Sequence, residues 1–296
     1  MFIVKLMGGL GNQMFQYALG RSLSLKYSKP IILDTRFLDD RTFKNIIFRN
    51  YDLDVFNLTS EMSIKSKDIK YAYKESDYRV IRKLTSLKRR FNKKYVIEKG
   101  FNFNPDVLEM QEGEYFDGYW QSYKYFTKFE DVLRKDFEFS HGLNDKEKLI
   151  SEEIKSKNSI CINVRRTDFV DNKETSQHHG VCGMDYFKKS IEIIHNKISK
   201  PYFYIFSDDL KWCNEEFSKL KIEYKLIDHQ YAGFKFSSYL RLMAECKHFI
   251  IPNSSFAWWA CWFNQSKDKI VITPKNWFNT DDIDTSDLIY PHWIRV

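Results

Sequence analysis

From residue 159 onward the chain alternates short apolar runs with helix-spaced segments, a pattern that few folds accommodate. Residues 159–164 (SICINV) form one apolar run that breaks into a charged loop. Residues 184–195 then place Tyr186, Phe187, Ile191, Ile193 and Ile194 at helical spacing. A second run, 202–206, stops at Ser207-Asp208-Asp209. The spacing next predicts a helix over 212–220, a strand over 224–227 and a helix over 239–246. A strand over 249–252, a helix over 256–263 and a strand over 270–273 complete the series. Strands separated by helices lie parallel, because a parallel pair needs a long crossover. The expected product is a doubly wound α/β sheet.

The N-terminal end opens the same way, with a strand over 2–6, glycines at 8, 9 and 11, a helix over 12–27 and a strand over 31–33. Between about residues 40 and 150 the periodicity blurs into aromatic, basic segments. The polar stretch 144–158 predicts a helix ahead of the second sheet. Two Rossmann-like domains facing a cleft are therefore expected, over 1–157 and 158–296.

A chain of 296 residues buries an ordinary core without disulfides or metal staples. Aromatic residues make up 17%, against only 11 Gly and 6 Pro, which excludes low-complexity and collagen-like architectures. The net charge of +7 favours an anionic partner: nucleic acid, an acidic membrane face or a phosphate-bearing substrate. Cys161, Cys182, Cys213, Cys246 and Cys261 form an odd set without a C-x-x-C pair, as expected of reduced thiols in a reducing compartment. With no run of 18 apolar residues and no secretory h-region, the sequence reads as cytoplasmic.

Four polar stations follow predicted strands. Gly8-Gly9-Leu10-Gly11-Asn12-Gln13 lies between a strand and a helix, where glycines admit a ligand close to the backbone and the helix start offers free N–H groups. Asp34, about 20 residues on, stands where a dinucleotide fold places its ribose-binding acid, but Met14 replaces the third glycine of that motif. The alternative is a tight turn with no ligand. At the second station, Asn163-Val164-Arg165-Arg166-Thr167-Asp168, two guanidinium forks stand at the ligand edge of a parallel sheet, suited to a phosphate clamp or to a surface ion pair with Asp168. Asp208 and Asp209 are placed to bind a ribose, hold the arginines, ligate Mg²⁺ or cap the next helix. Asn253, Ser254 and Ser255 supply hydroxyls and N–H groups at a helix start, ahead of Trp258, Trp259 and Trp262, which read as core. His178, His179 and Cys182 are bunched without a distant partner pair, so no zinc site is expected. Residues 78–95 carry eight Lys/Arg and no acid, with Val80, Ile81, Leu84 and Leu87 on one helical face. The segment is either a solvated basic face or a contact with an anionic membrane surface or lipid-diphosphate substrate.

Taken in order, MGGLGNQMFQYA at 7–18, R-R-x-D at 165–168, FSDD at 206–209 and CKHFIIPNSSFAWWACW at 246–262 resemble the family 11 glycosyltransferases, inverting α-1,2-fucosyltransferases that use GDP-fucose. The resemblance spans nearly the whole chain. It implies a two-domain GT-B fold, transfer without a metal or other cofactor, and a donor held mainly by the C-terminal half. It also implies an acceptor galactose in O-antigen or a related bacterial surface glycan, and no nucleic-acid partner. By position, Arg165 and Arg166 grip the donor diphosphate. Asn163, Asp208, Asp209, Asn253, Ser254 and Ser255 line the nucleotide, and Gly9, Gly11, Asn12 and Gln13 face the cleft. Asp168 is the first candidate for the proton-accepting carboxylate and Glu174 the second, with Asp168 alternatively orienting the arginines. Two positions depart from the family pattern: Asn163 replaces a His, and Ser237-Ser238-Tyr239 replaces a segment with an acid.

Three rival readings follow from the same residues. R-R-T-D at 165–168 also resembles α-1,6- and protein O-fucosyltransferases. An NAD-dependent oxidoreductase would use the glycine loop and leave the arginine pair idle. A nucleic-acid-binding protein rests on charge alone.

Overall fold

The computed structural model describes residues 1–42, 47–59, 62–65, 94–111, 115–166, 182–279 and 283–296. Among them the chain divides into two compact units. Unit 1 is Met1–Ser140 with Ser286–Ile289, and unit 2 is His141–Thr285 with Tyr290–Val296.

Unit 1 is built on a parallel sheet of β1 (Phe2–Lys5), β2 (Ile31–Asp34), β3 (Met62–Lys65), β4 (Tyr95–Ile97) and β5 (Tyr115–Asp117), in the order β3-β2-β1-β5-β4. The helix α1 (Leu10–Tyr27) packs on β1 and β2. Two short helices, α2 (Arg36–Asp39) and α3 (Pro105–Leu108), follow β2 and β4. The helix α4 (Glu130–Asp136) is tied to α1 through Asp136, whose Oδ2 accepts from Tyr17 Oη at 2.8 Å and from Arg21 Nε at 2.9 Å. This buried pair is satisfied from two sides, the condition under which an ion pair is tolerated inside a protein. The returning segment Ser286–Ile289 is held by Asp287, which accepts from Phe103 N at 2.8 Å and pairs with Lys124, while Ser122 Oγ donates to its carbonyl at 2.8 Å.

Unit 2 begins with α5 (Asp145–Ser156), started by a capping box in which Asn144 Oδ1 accepts from Glu147 N and Glu147 accepts in return from Asn144 N. This helix packs on β6 (Asn158–Val164), so unit 2 starts before it rather than at residue 158. Then come α6 (Met184–Lys197), β7 (Pro201–Ser207), α7 (Leu210–Phe217), β8 (Tyr224–Ile227), α8 (Ser237–Ala244), β9 (His248–Ile250), α9 (Ser255–Phe263), β10 (Val271–Thr273) and β11 (Ile294–Arg295). All pairings in this sheet are parallel, in the order β11-β10-β9-β6-β7-β8. Counted from its own first strand, that is the doubly wound order 3-2-1-4-5-6. Ile160, Ile162 and Val164 pack with Phe187, Ile191 and Ile194 of α6 and with Cys213 and Phe217 of α7. Strand alternation turns Cys161 to the opposite face, beside Cys246. Trp258, Trp259 and Trp262 are fully or almost fully buried in α9, as core. All five thiols are free.

Candidate active site

A doubly wound sheet offers its ligand crevice outside the carboxyl ends of the strands, where the strand order reverses. In unit 2 that reversal lies between β6 and β9. The two chain exits that flank it are Arg165-Arg166 after β6 and Asn253-Ser254 after β9. Because the strands are parallel, Asp208-Asp209 after β7 and Asp228-His229 after β8 leave from the same edge. Three of the four sequence stations thus gather here, although they lie far apart in the chain.

Arg166 is the best-defined side chain of the group. Its backbone N–H donates to Asp208 Oδ1 at 2.9 Å, and its Nε donates to Asp209 Oδ2 at 3.4 Å. The guanidinium carbon lies 4.0 Å from the centre of the Trp212 ring, a cation–π stack on the first turn of α7. Asp209 also caps that helix, its Oδ1 accepting from Trp212 N at 3.1 Å. Among the alternatives for the acid pair, capping and arginine-holding are both realised, and by the same residue. Arg165 is half-buried beside it. Asn163, buried inside β6, donates from Nδ2 to Phe206 O at 3.2 Å and so spends its amide on the neighbouring strand.

Behind these groups lies a layer that the sequence reading missed. Tyr239 Oη accepts from Ser207 N at 2.9 Å and donates to Ile227 O at 2.6 Å, bridging the ends of β7 and β8. Burial pushes this phenol well above the usual tyrosine range, so it stays protonated as a donor. His229 Nε2 lies 3.0 Å from Ser207 O. The signal available was positional: Trp212 is the residue three after the cap, and His229 stands two residues past the end of a strand.

On the β9 side, Ser254 caps α9, its Oγ accepting from Ala257 N at 3.4 Å. Asn253 donates from Nδ2 to Trp277 O at 3.0 Å. Ser255 is the first residue of α9, so the helix start opens at the strand-order reversal.

In unit 1 the corresponding reversal lies between β1 and β5, and the glycine loop leaves β1 there. Gly8 takes φ +76°, and a Cβ on it would collide with the Asn12 amide, so the turn requires glycine. Gly9 is the half-buried N-cap of α1 and Gly11 is buried within the helix. Asn12 accepts from Gln121 Nε2 at 2.8 Å. Gln13 is fully buried. Its amide donates to Gly8 O and Asn50 O, and its Oε1 accepts from Asp52 N, so it shapes the loop from behind. Asp34 holds Arg36 through both oxygens and accepts from Tyr115 Oη at 2.6 Å. A carboxylate so engaged is a poor ribose ligand, which weakens the dinucleotide reading.

Asp168, Glu174, His178, His179 and the basic segment 78–93 lie outside the described residues. Among the described residues, no group of three or more His, Cys, Asp or Glu side chains converges as a metal site, and no helix is long and apolar enough to cross a membrane.

Comparison with known proteins bears on the family and the fold. An α-1,2-colitosyltransferase of Escherichia coli is 31% identical, across 99% of this chain and 98% of its own. The O-antigen biosynthesis glycosyltransferase WbnK of Escherichia coli is 29% identical, across 98% of this chain and 99% of its own. The fucosyltransferase NodZ from Bradyrhizobium superposes with a TM-score of 0.51 at 12% identity, covering 88% of this chain and 90% of that one, which places the fold in the GT-B class. Residues 1–296 match glycosyl transferase family 11 as a whole, and the chain is a member of that family.

Proposed function

We propose that this glycosyltransferase moves L-fucose from GDP-fucose to the 2-hydroxyl of a galactoside in a bacterial surface glycan of the O-antigen type, releasing GDP. The observation that carries the reading is the arginine pair at the strand-order reversal of unit 2, in a chain that matches family 11 from end to end. The two E. coli relatives support different parts of the reading, the second a bacterial glycan context by its O-antigen name and the first the linkage by its α-1,2 name. Unit 2 is the donor side on this reading and unit 1 the acceptor side.

The chemistry sets the requirements. As the sugar–phosphate bond breaks, the sugar gains oxocarbenium character and the leaving diphosphate gains negative charge. Fixed donors aimed at that charge lower the barrier. Arg165 and Arg166 supply guanidinium N–H groups and the α9 start supplies backbone N–H groups, so no metal is needed. Inversion follows from a single displacement by the acceptor hydroxyl on the face opposite GDP. Its proton passes to a carboxylate, with Asp168 the first candidate and Glu174 the second.

The test is GDP release from GDP-fucose in EDTA, with and without a panel of β-galactosides. Acceptor-dependent release supports the proposal, and release restored only by a divalent cation removes its metal-free part. Arg165→Ala is expected to lose about 100-fold in kcat, roughly 3 kcal/mol. Near-normal turnover of that variant removes Arg165 from the site. The name of the 31% relative raises colitose as a rival transferred sugar, so GDP-colitose is offered in parallel. Transfer from it alone overturns fucose as the donor sugar.

A further inference from the structure

The exit of β8 carries a side chain whose conformation packing alone does not explain. After a 3₁₀ turn over His229–Tyr231, the chain folds back through Gly233 at φ +67° and enters α8 through Lys235 at φ +49° and Phe236 at φ +64°. A Cβ on Gly233 would collide with Ser238 Oγ, so the fold-back requires glycine. Phe236 has no such licence: a bulky L-residue in the left-handed region is strained. The residue nevertheless stays 44% exposed.

The ring is held from behind. His229 meets it edge-on, with centroids 5.3 Å apart and planes at 83°, and Tyr239 does the same at 5.9 Å and 84°. Both supporting rings are anchored to main-chain oxygens, His229 at Ser207 O and Tyr239 at Ile227 O. Phe236 is therefore fixed over the carboxyl ends of β7 and β8, on the edge that also carries Arg165 and Arg166. β8 stands two strands from β6 in the sheet, about 10 Å. A ribose between a diphosphate and its base bridges a span of that order.

Among the nearby polar groups, the Tyr239 hydroxyl accepts from Ser207 N and donates to Ile227 O, with Ser207 O at 3.4 Å, and each Asp228 oxygen accepts one bond from Gln230. Beside them the rim offers an exposed ring face. From this geometry we infer that Phe236 is the platform on which the purine base of the donor nucleotide stacks. The inference rests on the proposed nucleotide-sugar reading and adds a residue that the sequence motifs do not mark.

The test is calorimetric titration of GDP and, separately, inorganic diphosphate into the full chain and into Phe236→Ala and Phe236→Tyr. Stacking of a base on an aromatic ring predicts that Phe236→Ala weakens GDP by about 5- to 150-fold. The same variant should leave inorganic diphosphate within about 2-fold, and Phe236→Tyr, which keeps the ring, should bind GDP nearly normally. Equal GDP affinity in Phe236→Ala and the unsubstituted chain overturns the platform and leaves the transferase reading standing. Parallel loss of GDP and diphosphate also overturns it, by showing that the ring only supports the loop. Failure of the unsubstituted chain to bind GDP sinks the nucleotide reading itself, and the platform with it.

Discussion

On the proposed reading Arg166 binds a diphosphate, and it does so well only if its fork is already aimed, for which the Trp212 ring beneath it is placed. The ion pair to Asp209 is long at 3.4 Å and both partners are partly solvated, so it contributes about 0–1 kcal/mol. The stack on Trp212, at 4.0 Å and half-buried, contributes about 1 kcal/mol. Trp212→Leu should therefore weaken the donor about 5-fold, in KM for GDP-fucose rather than in kcat. Arg166→Ala removes the charged donor outright and should cost about 3 kcal/mol, roughly 100-fold. The decisive variant is the double one. If Trp212 acts through Arg166, the double variant is no worse than Arg166→Ala, and the interaction energy is about 1 kcal/mol. Trp212→Phe keeps a ring face and should restore most of the affinity. Steady-state kinetics with one fixed acceptor and calorimetry with GDP give both numbers. Thermal melting separates them from the loss of the packing between Trp212 and Phe217, whose rings lie 6.4 Å apart. A full 5-fold penalty for Trp212→Leu in the Arg166→Ala background would refute the reasoning.

Three further outcomes follow from local geometry. Burial pushes the Glu98 carboxyl up to about 7, although the N–H groups of Trp120 and Tyr119 favour its anion. The native chain then keeps a proton that the unfolded chain sheds, so this group's contribution is greatest below about pH 4.5 and declines by at most about 3 kcal/mol up to pH 7. Unfolding free energies across that range should fall more steeply in the unsubstituted chain than in Glu98→Gln, and parallel curves would contradict the assignment. Gly233→Ala places a side chain at φ +67° against Ser238 and should destabilise by about 1–2 kcal/mol, read as a lower Tm; an unchanged Tm would show that the turn relaxes freely. Asn144→Ala removes the capping box of α5 and should lower the unfolding free energy by about 1 kcal/mol, read as a lower denaturant midpoint with an unchanged slope.

Unit 2 was legible because its strands end abruptly. Asn158–Val164 and Pro201–Ser207 are apolar runs cut by charged residues, and the helices between them show the longer period. The same property marked the candidate site, since the carboxyl edge of such a sheet is where ligands bind. Unit 1 was legible only through β1, α1 and β2. Tyr115–Asp117 is three residues long, too short for any period, yet it lies beside β1 in the middle of its sheet. Its partners define it, with Tyr115 opposite Ile3 and Phe116 opposite Val4, and neither is near in sequence. Ile294–Arg295 is shorter still and exists through pairing with β10. The return of Ser286–Ile289 to unit 1 depends on Asp287 meeting Phe103, Ser122 and Lys124. Tertiary contacts of that kind leave no local mark. The proposed platform at Phe236 was hidden for another reason, because a left-handed phenylalanine runs against its own propensity and leaves no mark in the sequence.

The two departures from the family pattern fall where polar side chains bind strand ends together. Asn163 stands where the family pattern has histidine, and its amide goes to Phe206 O, across the β6–β7 pair. Tyr239 stands in the segment that carries an acid in the pattern, and its hydroxyl joins β7 to β8. A histidine or carboxylate at such places presents charge to a ligand, whereas these two residues present bonds to their own backbone. On the proposed reading, charge recognition then falls to Arg165, Arg166 and the start of α9, groups that read a diphosphate and not a base. The base would meet the ring face of Phe236, which holds any purine in much the same way. Diphosphate and base contacts thus come from different parts of the same sheet edge. On this reading the diphosphate grip lies at the strand-order reversal, where the fold alone would place it, and the base is held two strands away by a ring that does not itself select among purines.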